Sequence, residues 1–173
     1  AAIPPAFDLN AVQRAVAEGD AAAVEFLSCA IRAVDAVLDL ADRYRREAER
    51  QGLAVIAATL ARVPHQGATT LREALQALRI LHYALWCEGE YHNGLGRVDQ
   101  YLYPYYAADL AAGRLTEASA LELIEEFFLS CNRDSDLYIG VQQGDNGQSA
   151  MLRGVDKAGK DAFNTLSRLC LKA

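Results

Sequence analysis

The sequence predicts a mainly α-helical chain with two or three short strands in its second half, and three observations carry that expectation. Apolar residues recur at steps of three and four over long windows, the period of a helix with one buried face. Capping residues stand just before those windows and glycines close them. From Cys131 to Asp161 the chain changes character, becoming rich in Gly, Asn, Asp, Gln and Ser with only short apolar runs.

After Pro4-Pro5, Asp8 or Asn10 is expected to cap a short helix ending near Gly19. Asp20 caps a long helix to about Gln51, where Val24, Leu27, Ile31, Val34, Leu38 and Ala41 form one stripe and the charged end from Arg43 reads as a solvated face. Gly52 breaks it, residues 53–63 form another helix, and Pro64 to Gly67 a loop. Thr70-Leu71-Arg72-Glu73 is a capping box, in which hydroxyl and carboxylate satisfy two orphan amides reciprocally. The helix it opens carries Leu71, Leu75, Leu78, Leu81, His82 and Leu85 inward and runs to about Trp86. Residues 89–96 are loop or strand, and residues 98–102 are expected as a strand. Pro104 suits the first turn of a helix through Leu110 that Gly113 ends. Thr116 caps the next helix, whose apolar face is Ala120, Leu121, Ile124, Phe127 and Phe128. Residues 137–141 and 149–152 are strand candidates, residues 156–159 a turn, and Asp161 the cap of the last helix.

Composition narrows the class. At 173 residues, 52% hydrophobic and 23% charged, the chain is long and apolar enough to bury a core, which argues against disorder. A net charge of −6 disfavours nucleic acid or an anionic membrane surface as partner. No run approaches the apolar length of a membrane span and none reads as a secretory signal. Cys29, Cys87, Cys131 and Cys170 stand far apart beside apolar helical patterns, so they are expected as reduced thiols in a cytoplasmic protein. The chain starts without Met and stops inside an apolar helical pattern, so it is expected to be a piece of a longer protein.

Tyrosines crowd between Tyr83 and Tyr106, with His92 among them and His82 just before. Within that stretch Arg97 and Asp99 alternate, so a strand would place both on one face as a buried ion pair. His92 has the chemistry of a substrate hydrogen-bond partner, since imidazole orients a hydroxyl and shuttles a proton; a structural histidine satisfied by backbone is the alternative. His82, on an apolar face, reads as a core residue. The set His82, Cys87, Glu88 and His92 matches no zinc spacing, and no metal is expected. Arg133, Asp134 and Asp136 line an active-site mouth or cap the preceding helix.

Gly96-Arg97-Val98-Asp99-Gln100-Tyr101-Leu102-Tyr103-Pro104-Tyr105-Tyr106 resembles the "GR-x-DQYLYPYY" signature of the glycyl radical enzymes, the pyruvate formate-lyase-like radical lyases and dehydratases. Three further blocks come in the family's order. Leu71 to Ala77 is similar to "FWEALQA", and Asp109 to Glu117 to "DLEEGRLTE". Gly147-Gln148, Gly154-Val155-Asp156 and Asp161 to Ser167 are similar to "GGQ…GGxDxxGxDATNELS". The resemblance implies an α/β fold, a ten-stranded barrel in which one finger carries a thiyl-radical cysteine and another a radical-storing glycine. Residues 1–173 would then be part of a single such domain, truncated at both ends and lacking both loops. His92 and Asn93 stand nearest the family's substrate-contacting His-Ser pair, with one spacer residue fewer and Asn for Ser. Gln142, Gln143 and Gln148 lie in the region that contributes a strand and loop near the active site.

The resemblance further implies a fragment of a lyase or dehydratase for a small polar substrate, inactive alone. No catalytic residue and no cofactor are expected in this chain. The parent would carry a glycyl radical installed by a radical-SAM activating enzyme, work anaerobically and form a homodimer. The other reading is a self-standing helical interaction module that binds a full-length homologue.

Overall fold

The computed structural model describes residues 9–87, 93–133 and 149–173, of residues 9–12 the backbone alone. Among these residues there are eight helices and no strand. The chain divides into two compact units, Ala1–Gly67 and Ala68–Ala173.

In the first unit α1 (Leu9–Glu18) and α3 (Ala54–Leu60) both pack on α2 (Ala21–Arg50). Gly19, at φ 70°, turns the chain between α1 and α2, and Asp20 Oδ1 accepts from Ala23 N at 2.9 Å, the expected cap. The expected stripe is not a buried seam: of its six residues only Ala41 is buried, and Val34 is 42% exposed. The reason is length, because helices of 10 and 7 residues are too short to cover one of 30. The charged end is solvated as expected, with Arg45 on Glu49 at 2.6 Å and Arg50 on Glu47.

The second unit holds α4 (Leu71–Cys87), α5 (Val98–Tyr101), α6 (Tyr103–Ala111), α7 (Glu117–Asn132) and α8 (Thr165–Lys172). Leu71, Leu75, Val98, Leu102, Tyr106, Ile124, Phe127 and Leu166 are central to one core between them. On α4 the steps 71, 75, 78, 82 continue to Trp86, which is fully buried. Leu81 and Leu85 fall beside that stripe and are 49% and 54% exposed, against expectation. Thr70 Oγ1 accepts from Glu73 N, but Glu73 Oε2 takes Thr69 N at 2.7 Å, so the capping box closes one residue early. The first helical amide, Leu71 N, goes instead to Asp109 Oδ2 at 2.8 Å, and Arg114 Nε holds Asp109 Oδ1 at 2.7 Å.

Thr116 caps α7 through a box with Ser119, and Asn164 rather than Asp161 caps α8 through a box with Ser167. Asp161 is occupied elsewhere, by the Arg153 guanidinium at 3.0 Å and Phe163 N at 3.0 Å. The strand expected over residues 98–102 is instead the single turn α5. A helical turn places Val98 and Leu102 together in the core at 1% and 3% exposure, and tertiary burial overrides the β-propensity of this run. Of the 149–152 candidate, only a single parallel bridge between Ala150 and Gly96 is present, and residues 137–141 lie outside the described residues. The 156–159 turn forms as expected, with Asp156 Oδ1 accepting from Ala158 N and Lys160 N.

Candidate functional site

The signature stretch forms the heart of the second unit. Leu95 N donates to Ser149 O at 2.7 Å, and Met151 N donates to Gly96 O at 2.8 Å, so two segments more than fifty residues apart run side by side. Glycines stand where they touch, and at Gly96 the backbone conformation favours one. A Cβ on Gly94 would stand 3.4 Å from Ser149 Oγ, and Gly96 itself holds φ 61°. His82 is buried, as expected, but it is more than core: its Nε2 lies 3.1 Å from Asn93 O.

Downstream of the ladder, α5 anchors the chain. Asp99 is fully buried, and its Oδ2 accepts from Arg153 N at 2.8 Å and Ser167 Oγ at 2.5 Å. Arg97 Nε donates to Arg153 O and Nη1 to Val155 O, both at 3.2 Å. The expected Arg97–Asp99 ion pair is therefore not formed. In a helical turn the two side chains no longer share a face, and each takes backbone or hydroxyl partners on the 153–167 segment. Gln100 Nε2 reaches Ala162 O at 2.9 Å, and Asn164 Nδ2 reaches Asp99 O at 3.2 Å. Tyr101 donates its hydroxyl to Leu95 O at 2.8 Å, and burial foremost lifts the phenol to about 12. Burial, with the Asp99 charge adding to it, pushes the Cys170 thiol up to about 11.

Of the residues expected at the substrate, Asn93 is half-buried beside the ladder. His92, Gln142, Gln143 and Gln148 lie outside the described residues, as do Asp134 and Asp136, while Arg133 is exposed at the end of α7. Both polar stretches nonetheless abut the ladder in sequence, one just before Asn93 and the other just before Ser149. Sequence reasoning missed Asp109, Arg153, Ser167 and Asn164 as anchoring groups. Asp109, Asn164 and Ser167 stand inside the family-like blocks, which was their signal; Arg153 stands just outside them, before Gly154, and carried none. A groove of about 200 Å³ between α4 and α7, lined by Leu75, Arg79, Phe127 and Ser130 among others, contains none of the expected site residues. Among the described residues no group of three or more His, Cys, Asp or Glu is placed to hold a metal. No helix among them is long and apolar enough to cross a membrane.

A family profile described as pyruvate formate lyase-like matches residues 7–173. The isethionate sulfite-lyase of Nitratidesulfovibrio vulgaris is 32% identical over 169 residues, 86% of this chain and 20% of that protein. The (2S)-3-sulfopropanediol dehydratase of Klebsiella oxytoca is 37% identical over 107 residues, 56% of this chain and 13% of that protein. A solved structure described as 1,2-propanediol dehydration in Roseburia inulinivorans superposes with a TM-score of 0.78 at 29% identity, over 92% of this chain and 22% of that one. The chain thus spans about a fifth or less of the length of the curated relatives it matches.

Proposed function

Because the chain belongs to the pyruvate formate lyase-like family of glycyl radical enzymes, we propose that it is a section of a radical lyase or dehydratase acting on a small polar organic molecule. The single observation that carries this reading is the ladder joining Leu95 and Gly96 to Ser149 and Met151. It ties together the two segments whose flanking stretches in sequence, His92-Asn93 and Gln142 to Gln148, are rich in amide and imidazole groups able to hydrogen-bond a small polar molecule. In this reading His92, Asn93, Gln142, Gln143 and Gln148 bind and orient the substrate.

The chain's own cysteines do not fit the radical-carrying thiol. Cys131 and Cys170 belong to the apolar core, and Cys29 and Cys87 sit on helix surfaces without a family-like loop around them. The radical cysteine and glycine are therefore assigned to other parts of the parent, which a radical-SAM activase would charge. This chain by itself is inactive, and its contribution is binding and scaffold. The two units form parts of one domain, a reading supported by a family match that runs unbroken from residue 7 to 173. The parent barrel is ten-stranded, and the enzyme is an anaerobic, cytoplasmic homodimer.

A free-standing interaction module fits less well. Leu81, Leu85, Leu129 and Leu171 are 49% to 68% exposed, large apolar side chains on surfaces that a complete barrel would cover. The test uses the full-length parent, activated and assayed with isethionate, 2,3-dihydroxypropane-1-sulfonate and 1,2-propanediol. Elimination from one of them is expected, with His92→Ala and Asn93→Ala cutting turnover while the glycyl radical signal stays intact. Full turnover in both variants rejects the site assignment, and absence of a radical after activation rejects the class.

A further inference from the structure

Arg97 and Asp99 grip one residue from its two ends. The Arg153 amide donates to Asp99 Oδ2 at 2.8 Å, and the Arg153 carbonyl accepts from Arg97 Nε at 3.2 Å. The same guanidinium reaches Val155 O at 3.2 Å, so it spans the 153–155 turn. Gly154 leaves room for it: a Cβ there would stand 3.3 Å from Arg97 Nη2, and its φ is 98°. Arg153 is the only non-glycine among the described residues in the left-handed region, at φ 73°. L-residues persist there only where the surroundings over-determine them, and such strain gathers at functional sites.

The surroundings here do over-determine it. Asp99 is fully buried and pinned by Ser167 Oγ, while the Arg153 side chain is tied to Asp161 at 3.0 Å. The gripped turn begins two residues after Met151, whose amide closes the ladder on Gly96.

We infer that Arg97 and Asp99 are positioning residues that lock Arg153 in its left-handed conformation and thereby fix the 149–151 segment against Asn93–Gly96. The inference rests on the reading that Asn93 faces the substrate. Arg97→Lys keeps the charge, but one ammonium cannot reproduce a guanidinium fork across two carbonyls. Gly154→Ala disturbs the same turn without changing Arg97. An ångström of misplacement at a binding group costs up to about a hundredfold.

In the full-length activated parent both variants are expected to raise KM about ten- to a hundredfold with radical yield unchanged. Arg153→Gly in the Arg97→Lys background is expected to recover most of that loss, since glycine adopts the conformation without a lock. KM is read on the active fraction, so partial misfolding lowers the rate ceiling without imitating the result. Unchanged KM in both variants while Asn93→Ala raises it overturns the lock and leaves the site assignment standing. A fall in radical yield at constant KM also overturns it, by reducing the grip to fold stability. Normal KM in Asn93→Ala overturns the reading beneath it.

Discussion

Asp99→Asn gives the clearest measure of how the signature turn is held. The carboxylate is fully buried, Oδ2 receives both Arg153 N and Ser167 Oγ, and Oδ1 has no hydrogen-bond partner among the described residues. An asparagine that keeps its oxygen on the occupied side retains both bonds but makes them neutral. Hydrogen bonds to a charged group contribute about 1.5–3 kcal/mol and neutral ones about 0.5–1.5, so roughly 1 kcal/mol is lost on each. The new amide nitrogen takes the place of Oδ1 and buries an unsatisfied donor, at about 1–3 kcal/mol. Removing a buried charge relieves some desolvation and offsets part of this. The net loss is about 2 kcal/mol. Glu117→Gln is the control, because that carboxylate is 54% exposed and meets Arg168, itself 59% exposed, at 2.9 Å. A solvated pair in a first helical turn is worth about 0.3–1 kcal/mol. For a chain of this size 1 kcal/mol moves the melting temperature by about 2–4 °C, so Asp99→Asn should lower it by about 4–8 °C and Glu117→Gln by less than half of that. Thermal melts followed by far-UV circular dichroism at pH 7 decide the matter. Equal shifts would show that the buried contacts of Asp99 contribute no more than a surface pair, and the reasoning would fail.

Asp109→Ala should cost about 2–3 kcal/mol, since it leaves the first amide of α4 buried without its 2.8 Å charged acceptor; Arg114→Ala, which removes only the half-exposed partner, should cost under about 1 kcal/mol, and chemical denaturation showing the reverse order would refute this. Stability should be intact below pH 9 and fall as pH rises toward 11, because burial lifts Cys170 from 9.0 to about 11, so the unfolded chain ionises first. Cys170→Ala should flatten the lower part of that decline, and a flat wild-type profile from pH 8 to 11 would contradict it.

The helices were legible because their signals are local. Asp20 and Thr116 cap where a short polar side chain precedes an apolar period, and Gly19 and Gly113 end helices at φ 70° and 67°, conformations that favour glycine. The failures of capping and pairing share one cause, which is that distant partners decide them. Nothing near Leu71 announces that its amide is capped by Asp109, thirty-eight residues on. Nothing near Asp161 announces that Arg153 claims it and leaves the cap of α8 to Asn164. The Arg97–Asp99 pair shows the same limit most sharply. Their alternation reads as a strand face only if the strand exists. Once Val98 and Leu102 are drawn into the core as a helical turn, the two side chains diverge. They meet again on Arg153, one at its carbonyl and one at its amide. The expected ion pair on a strand is therefore replaced by two separate sets of contacts to one distant turn. The motif's two charges do not neutralise each other: each is hydrogen-bonded to a turn more than fifty residues away, and that is how a short local signature comes to hold two distant segments together.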